Sequence, residues 1–157
     1  MRHLFLLTVC FVIISCNSVK KATKVDQSNP AQVAGVSLDY YKLQDLESLQ
    51  YLSTNKKSVL IERVILTNDN STKKAIFSGW RWDKVQQWDG KIREVRFADD
   101  LKTAYAVFHL PTDAKANTSL GVVALISEDN KWKFDDIYRY TKAEFEGLGY
   151  VMDKSAK

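Results

Sequence analysis

Cysteine and histidine are scarce in this chain, and most of what there is falls at its start. Of 157 residues two are cysteine, Cys10 and Cys16, and two are histidine, His3 and His109. Residues 4–14 form an apolar run broken only by Thr8 and preceded by Arg2, the layout of the charged and apolar regions of an export signal. The run is too short to cross a bilayer, which takes about 20 apolar residues. On this reading His3 and Cys10 leave with the signal, and His109 is the one imidazole of the mature chain. So few ligands exclude zinc sites built from Cys and His and leave no disulfide or cysteine nucleophile; no metal or other cofactor is expected. A strong excess of one charge is lacking too. There are 23 Lys and Arg against 19 Asp and Glu, and loss of Arg2 leaves 22 basic residues and a net charge of +3. That mild surplus is not the basic footprint of a nucleic-acid binder, and no nucleic-acid partner is expected. Carboxylates, tyrosines and His109 remain as candidates for chemistry.

What stands at the end of the apolar run carries an address. Ile13-Ile14-Ser15-Cys16 resembles the lipobox of bacterial lipoproteins, where a branched residue, a permissive one and a small one precede a modified cysteine. The resemblance implies cleavage after residue 15, lipid on the Cys16 sulfur and an acyl chain on its new amine. Three chains would anchor the protein firmly, since two lipid signals already suffice. Residues 16–28 then read as lipidated Cys16 and a polar tether, with Lys20, Lys21 and Lys24 near the headgroups and no apolar face to bury. No acidic residue directly follows Cys16, which favours a periplasm-facing domain, most simply on the outer membrane.

Residues 29–150 fit one domain, with 151–157 as a tail. Asn29 suits an N-cap, Pro30 the first helical position, and Gln32 the return arm of a capping box. Val33, Val36, Tyr40 and Leu43 recur at helical spacing as an apolar stripe. Asp45 opens a second helix whose face is Leu46, Leu49 and Leu52. Residues 57–66 allow helix or strand, and their neighbours favour helix. Residues 68–72 are a polar break. Residues 73–88 carry Phe77, Trp80, Trp82 and Trp88 without a decisive period.

From residue 91 the pattern turns to strands: 91–97 and 103–110 joined by a short loop, then 120–127 and 132–140 around the turn Glu128-Asp129-Asn130-Lys131. In the last strand Trp132, Phe134, Asp136, Tyr138 and Tyr140 alternate with Lys133, Asp135, Ile137 and Arg139. Thr141 with Glu144 fits a capping box for a last helical turn ending at Gly147. Helices followed by an antiparallel meander predict an α+β fold in which N-terminal helices pack on a curved, four-stranded sheet.

The opening Asn29-Pro30-Ala31-Gln32-Val33, the following Tyr40-Tyr41-Lys42-Leu43-Gln44-Asp45-Leu46-Glu47 and Gln50-Tyr51-Leu52-Ser53, and the closing stretch from Val122 to Ile137 with its Lys131-Trp132-Lys133-Phe134 turn resemble nuclear transport factor 2-like domains, in particular the lipoprotein branch of that superfamily. The resemblance implies a cone-shaped sheet wrapped around helices, with a pocket between them; cystatin-like folds share the helix-on-sheet layout.

Such a cone hosts enzymes and pure binding modules alike, so function has to come from side chains. Strand alternation places Asp136 among Trp132, Phe134 and Tyr138, where desolvation would suit a general acid or base; otherwise it is a carboxylate satisfied at a sheet edge. Tyr40 is the matching hydrogen-bond donor to an oxyanion. Ketosteroid isomerase, of the same superfamily, works through such Asp and Tyr groups, although no isomerase motif is matched here. His109 shares strand parity with Tyr105 and Val107, so it either lines a pocket or faces outward, since Ala104, Ala106, Phe108 and Leu110 make the more apolar face. Tyr40, Trp80, Trp82, Trp132 and Tyr138 are candidate ligand-binding residues, and core filling is the other use of such aromatics.

Three functions follow. The first is an anchored envelope protein that binds a small apolar ligand or a partner protein without catalysis. The second is an isomerase, dehydratase or cyclase using Asp136 with Tyr40 or His109. The third is an assembly or immunity lipoprotein acting by surface contact, with Trp80 or Trp82 in an exposed patch.

Overall fold

The computed structural model describes residues 25–110, 119–147 and 151–152. The signal, Cys16, most of the tether and the loop at 111–118 lie outside the described residues. The fold is α+β: five helices, then an antiparallel sheet.

The first helix, α1 (Pro30–Lys42), starts as its sequence dictates. The Asn29 side chain accepts from the N–H groups of Ala31 and Gln32, and Pro30 sits in the first turn. The box with Gln32 does not close, because the Asn29 N–H donates instead to the Asp26 carbonyl at 3.3 Å. The buried stripe is Pro30, Val33, Ala34, Ser37, Leu38 and Tyr41, turned from the expected one. Val36 and Tyr40 fall at its margin and Leu43 is 67% exposed. Small residues at 34 and 37 let the helix come close to its neighbours, which larger apolar side chains at those positions would prevent.

Helix α2 (Leu46–Leu52) is capped by Asp45 and buries Leu46, Leu49 and Leu52, as its leucine spacing predicts. Helix α3 (Asn55–Thr67) takes up the ambiguous apolar segment, with Thr54 as its cap and Asn68 in the left-handed region ending it. Only Ile61 and Val64 of α3 are fully buried. The polar break is a sharp corner: Asp69 immediately caps α4 (Asn70–Ile76), which buries none of its seven residues. Helix α5 (Gly79–Gln86) buries only Val85. Just after it Trp88 is buried, its indole N–H bound to the Lys91 carbonyl at 3.0 Å.

The sheet consists of β1 (Glu94–Phe97), β2 (Thr103–His109), β3 (Ser119–Glu128) and β4 (Lys131–Thr141), with a two-residue β5 (Val151–Met152) beside β1. The order is β4-β3-β2-β1-β5 and each pairing is antiparallel. The fifth strand adds to the four expected and falls in the segment read as a tail. Strand β1 starts three residues later than its composition suggests, although the Arg93 N–H still donates to the Val107 carbonyl at 2.8 Å. Asp129 and Asn130 both have positive φ, 52° and 60°, the pattern of a two-residue turn matched to strand twist.

Two irregularities break the strict alternation read from the sequence. In β4, Asp136 pairs with Ala124 but Phe134 with Leu125, so Asp135 is an extra residue. Phe134 and Ile137, three apart, are therefore both in the helix-facing core. The face expected to hold Trp132, Phe134, Asp136, Tyr138 and Tyr140 is split in two. In β2, a shift between Val107 and His109 parts His109 from Tyr105 and Val107: its Cβ lies with the Phe108 ring against Gly121. Bulges of this kind re-aim side chains that simple parity would misplace.

The helices cover one face of the sheet, packing Val33, Leu38, Leu49 and Ile61 against Ala104, Ala106, Val123, Leu125 and Phe134. On the other face α6 (Lys142–Glu146), held by the predicted Thr141–Glu144 capping box, lays Phe145 on Val107, Leu120 and Val122. The outer side of β4 is occupied: the Thr54 N–H donates to the Phe134 carbonyl and the Trp132 N–H to the Gln27 carbonyl, both at 2.8 Å. Val25 also packs on the main core, so residues read as tether already contribute to the domain.

Candidate functional site

The short, shallowly seated helices leave a space behind them. Because α4 buries no side chain and α3 buries only two, these helices roof a cavity of about 360 Å3 instead of closing on the core. That is within the range of small-molecule sites. Its floor is Tyr41 of α1, Leu49 of α2 and Phe134 of β4; Ile61 and Val64 of α3 and Ile76 of α4 form its walls. Leu60 stands at the opening, 53% exposed. The rim carries Lys57, Arg63, Thr67, Asp69 and Thr72.

Tyr41 joins the floor to the roof. Its ring meets Phe77 edge-on at 5.0 Å and Trp82 at 6.1 Å, and its hydroxyl donates to the Ile76 carbonyl at the end of α4. Burial pushes its phenol up to about 12, with Arg81 working against the rise and Asp136 adding to it.

Beside the cavity, Asp136 bridges three elements. Its carboxylate is 3.2 Å from Lys57 Nζ of α3 and 3.2 Å from Arg81 Nη1 of α5, and accepts the Ile137 N–H at 2.8 Å. The aromatic surround expected for it is replaced by two cations. Such a pair of ion bonds holds a carboxylate in place as an acceptor; here it fastens α3 and α5 to the sheet.

The other candidates are dispersed. Tyr40 packs half-buried at the margin of the main core, one position from the tyrosine that faces the cavity. His109 lies half-buried in a shallow depression with Gln87, Asp89 and Arg93, where burial first and Lys84 second lower its pKa. The Trp80 ring lies under the Arg139 guanidinium at 5.7 Å. Trp82 backs Tyr41, and Trp132 packs on Phe97 at 5.5 Å. Tyr138 is exposed, 6.1 Å from Tyr140, and burial, then Asp135 and Asp136, raise its pKa. The bulge and the rotated α1 stripe give Asp136, Tyr40 and His109 three different sets of neighbours, whereas Trp82 supports the cavity from behind.

Sequence reasoning passed over Tyr41, Leu60 and Arg63. The available signal was the apolar excess of α3, where Val59, Leu60 and Leu66 add to the buried Ile61 and Val64; a helix apolar beyond one stripe has more than one apolar surface to cover.

Family models, curated proteins and solved structures give no match to this chain. Among the described residues no His, Cys, Asp or Glu group is arranged to hold a metal ion, and no helix is long and apolar enough to cross a membrane. The geometry present can shield an apolar body from water and meet a polar end at the rim.

Proposed function

We propose that this chain is a lipid-anchored envelope protein whose domain binds a small apolar ligand in the α3–α4 cavity and performs no chemistry on it. The observation that carries the reading is the cavity itself, with its floor of Tyr41, Leu49 and Phe134 and apolar walls. Removing apolar ligand surface from water is worth about 25 cal/mol per Å2, so such a space favours occupation. The anchor rests on residues 1–16 and their likeness to a lipobox. Kinship with nuclear transport factor 2-like domains is part of the same proposal and rests on the sequence resemblance alone. The cavity differs from the pocket that likeness implies: it opens beside the edge strand β4, with Phe134 as the sheet's contribution.

Native mass spectrometry of the full chain released from its own membranes tests the reading. A retained small molecule is the expected result; a chain of polypeptide-plus-lipid mass that takes up no apolar compound refutes it. Cys16→Ser should move the protein from the membrane fraction to the soluble one, and unchanged fractionation would remove the anchor.

One observation favours partner binding as a second reading. Val59 and Leu66 of α3 are 64% and 77% exposed, and large apolar side chains left in solvent on one helix suit a protein contact. Trp80 and Trp82, both half-buried, are not that surface. Crosslinking through residue 59 or 66 should recover a discrete envelope protein, and its absence would leave the ligand reading alone.

A further inference from the structure

We infer that the occupant of the α3–α4 cavity is a medium-chain monocarboxylate, its hydrocarbon inside and its head on the Arg63 guanidinium. This rests on the ligand-binding reading above and adds the ligand's chemistry.

The interior decides the body. Leu49, Ile61, Val64 and Phe134 are buried and wholly apolar, and the one hydroxyl on the floor, that of Tyr41, already donates to Ile76. A polar group carried inside would be left without a partner, at a cost of about 1 to 3 kcal/mol. Against the roughly 30 Å3 that one water occupies in the liquid, about 360 Å3 has room for around twelve groups of that size, which matches an unbranched chain of medium length.

The rim decides the head. Lys57 is taken by Asp136 at 3.2 Å. The Asp69 carboxylate is spent on the backbone and hydroxyls of Ser71 and Thr72 at 2.5 to 3.1 Å. Thr67 turns its hydroxyl back to the Arg63 carbonyl at 2.6 Å. The Arg63 guanidinium takes part in none of the ion pairs among the described residues, and its fork of N–H donors fits a carboxylate through two bonds. The standing negative charge of Asp69 at the same rim disfavours a doubly charged head, so a monoanion fits better than a phosphomonoester.

The test uses full-length chain in cell extract without added ATP, so that the acid stays free, and two diazirine probes of twelve carbons, one a carboxylic acid and one the matching alcohol. Illumination and peptide mapping should place the acid on peptides spanning 57–76, with competition by dodecanoate. Arg63→Gln should cut acid labelling about tenfold and leave alcohol labelling unchanged, while Arg63→Lys restores part of it. Thr67→Trp, which plugs the rim from an exposed position, should lower both. Equal labelling by acid and alcohol, indifferent to Arg63→Gln, would overturn the headgroup assignment and keep the cavity as an apolar site. Labelling of neither on 57–76 would overturn both.

Discussion

Removing the Tyr41 hydroxyl tests how the roof of the cavity is held. Helix α4 buries none of its residues, so its attachment depends on few contacts, of which the bond from Tyr41 to the Ile76 carbonyl is one. Tyr41→Phe keeps the ring against Phe77 and Trp82 and deletes only that bond. A hydrogen bond of this kind contributes about 0.5 to 1.5 kcal/mol net, which predicts amide exchange in α4 faster by about two- to tenfold through local opening, with β3 and β4 nearly unchanged. A second consequence appears at high pH. The folded phenol titrates at about 12 against an ordinary 10.0. Between those values the unfolded chain loses the proton while the folded one keeps it, so Tyr41's contribution is complete below pH 10 and is lost as pH rises towards 12. The gap between the two values sets a ceiling of about 2.7 kcal/mol, and partial solvent screening at the site reduces this to about 1 to 2 kcal/mol. Other tyrosines also titrate there, so the informative quantity is the difference between the parent and Tyr41→Phe in urea midpoints from pH 9 to 12. The variant should show the shallower alkaline decline. Parallel curves, or protection in α4 equal to the parent's, would refute the assignment of Tyr41 as the tie between floor and roof.

Two further substitutions probe what surrounds the cavity. Asp136→Asn removes the charge between Lys57 and Arg81 and should lower stability by about 1 kcal/mol; denaturation midpoints of the parent should fall with added salt more steeply than the variant's, and equal salt slopes would contradict the clamp. Gly121→Ala places a Cβ 2.8 Å from the Phe108 ring and 2.9 Å from the His109 Cβ, so it should cost about 1 to 3 kcal/mol by overpacking, seen as a lower melting temperature; an unchanged or higher value would contradict tight packing between β2 and β3.

Where sequence and structure agree, local chemistry was enough. Asn29 with Pro30, Asp45 before three leucines and Thr141 with Glu144 each mark a helix start, and Asp129–Asn130 marks the hairpin. Where they part, the cause is tertiary. Periodicity weighs side chains by polarity, so it favoured Val36 and Tyr40 over Ala34 and Ser37, although close packing of α1 selects the small pair. A period of two has no place for an extra residue, so Asp135 shifted every inference made about β4 downstream of it, Asp136 included. The cavity was hidden for a related reason: α3 supplies apolar residues to the core, the cavity and solvent at once, and one helical period cannot separate three destinations.

The contacts along the outer side of β4 have a consequence for how copies of this protein meet. Thr54 and Gln27 already fill the main-chain positions that a neighbouring strand would use beside Trp132 and Phe134. A second chain would have to dislodge them before extending the sheet there. Molecules crowded together are therefore kept from joining strand to strand along this stretch, and the helical side, where the cavity opens, is left for encounters with other molecules.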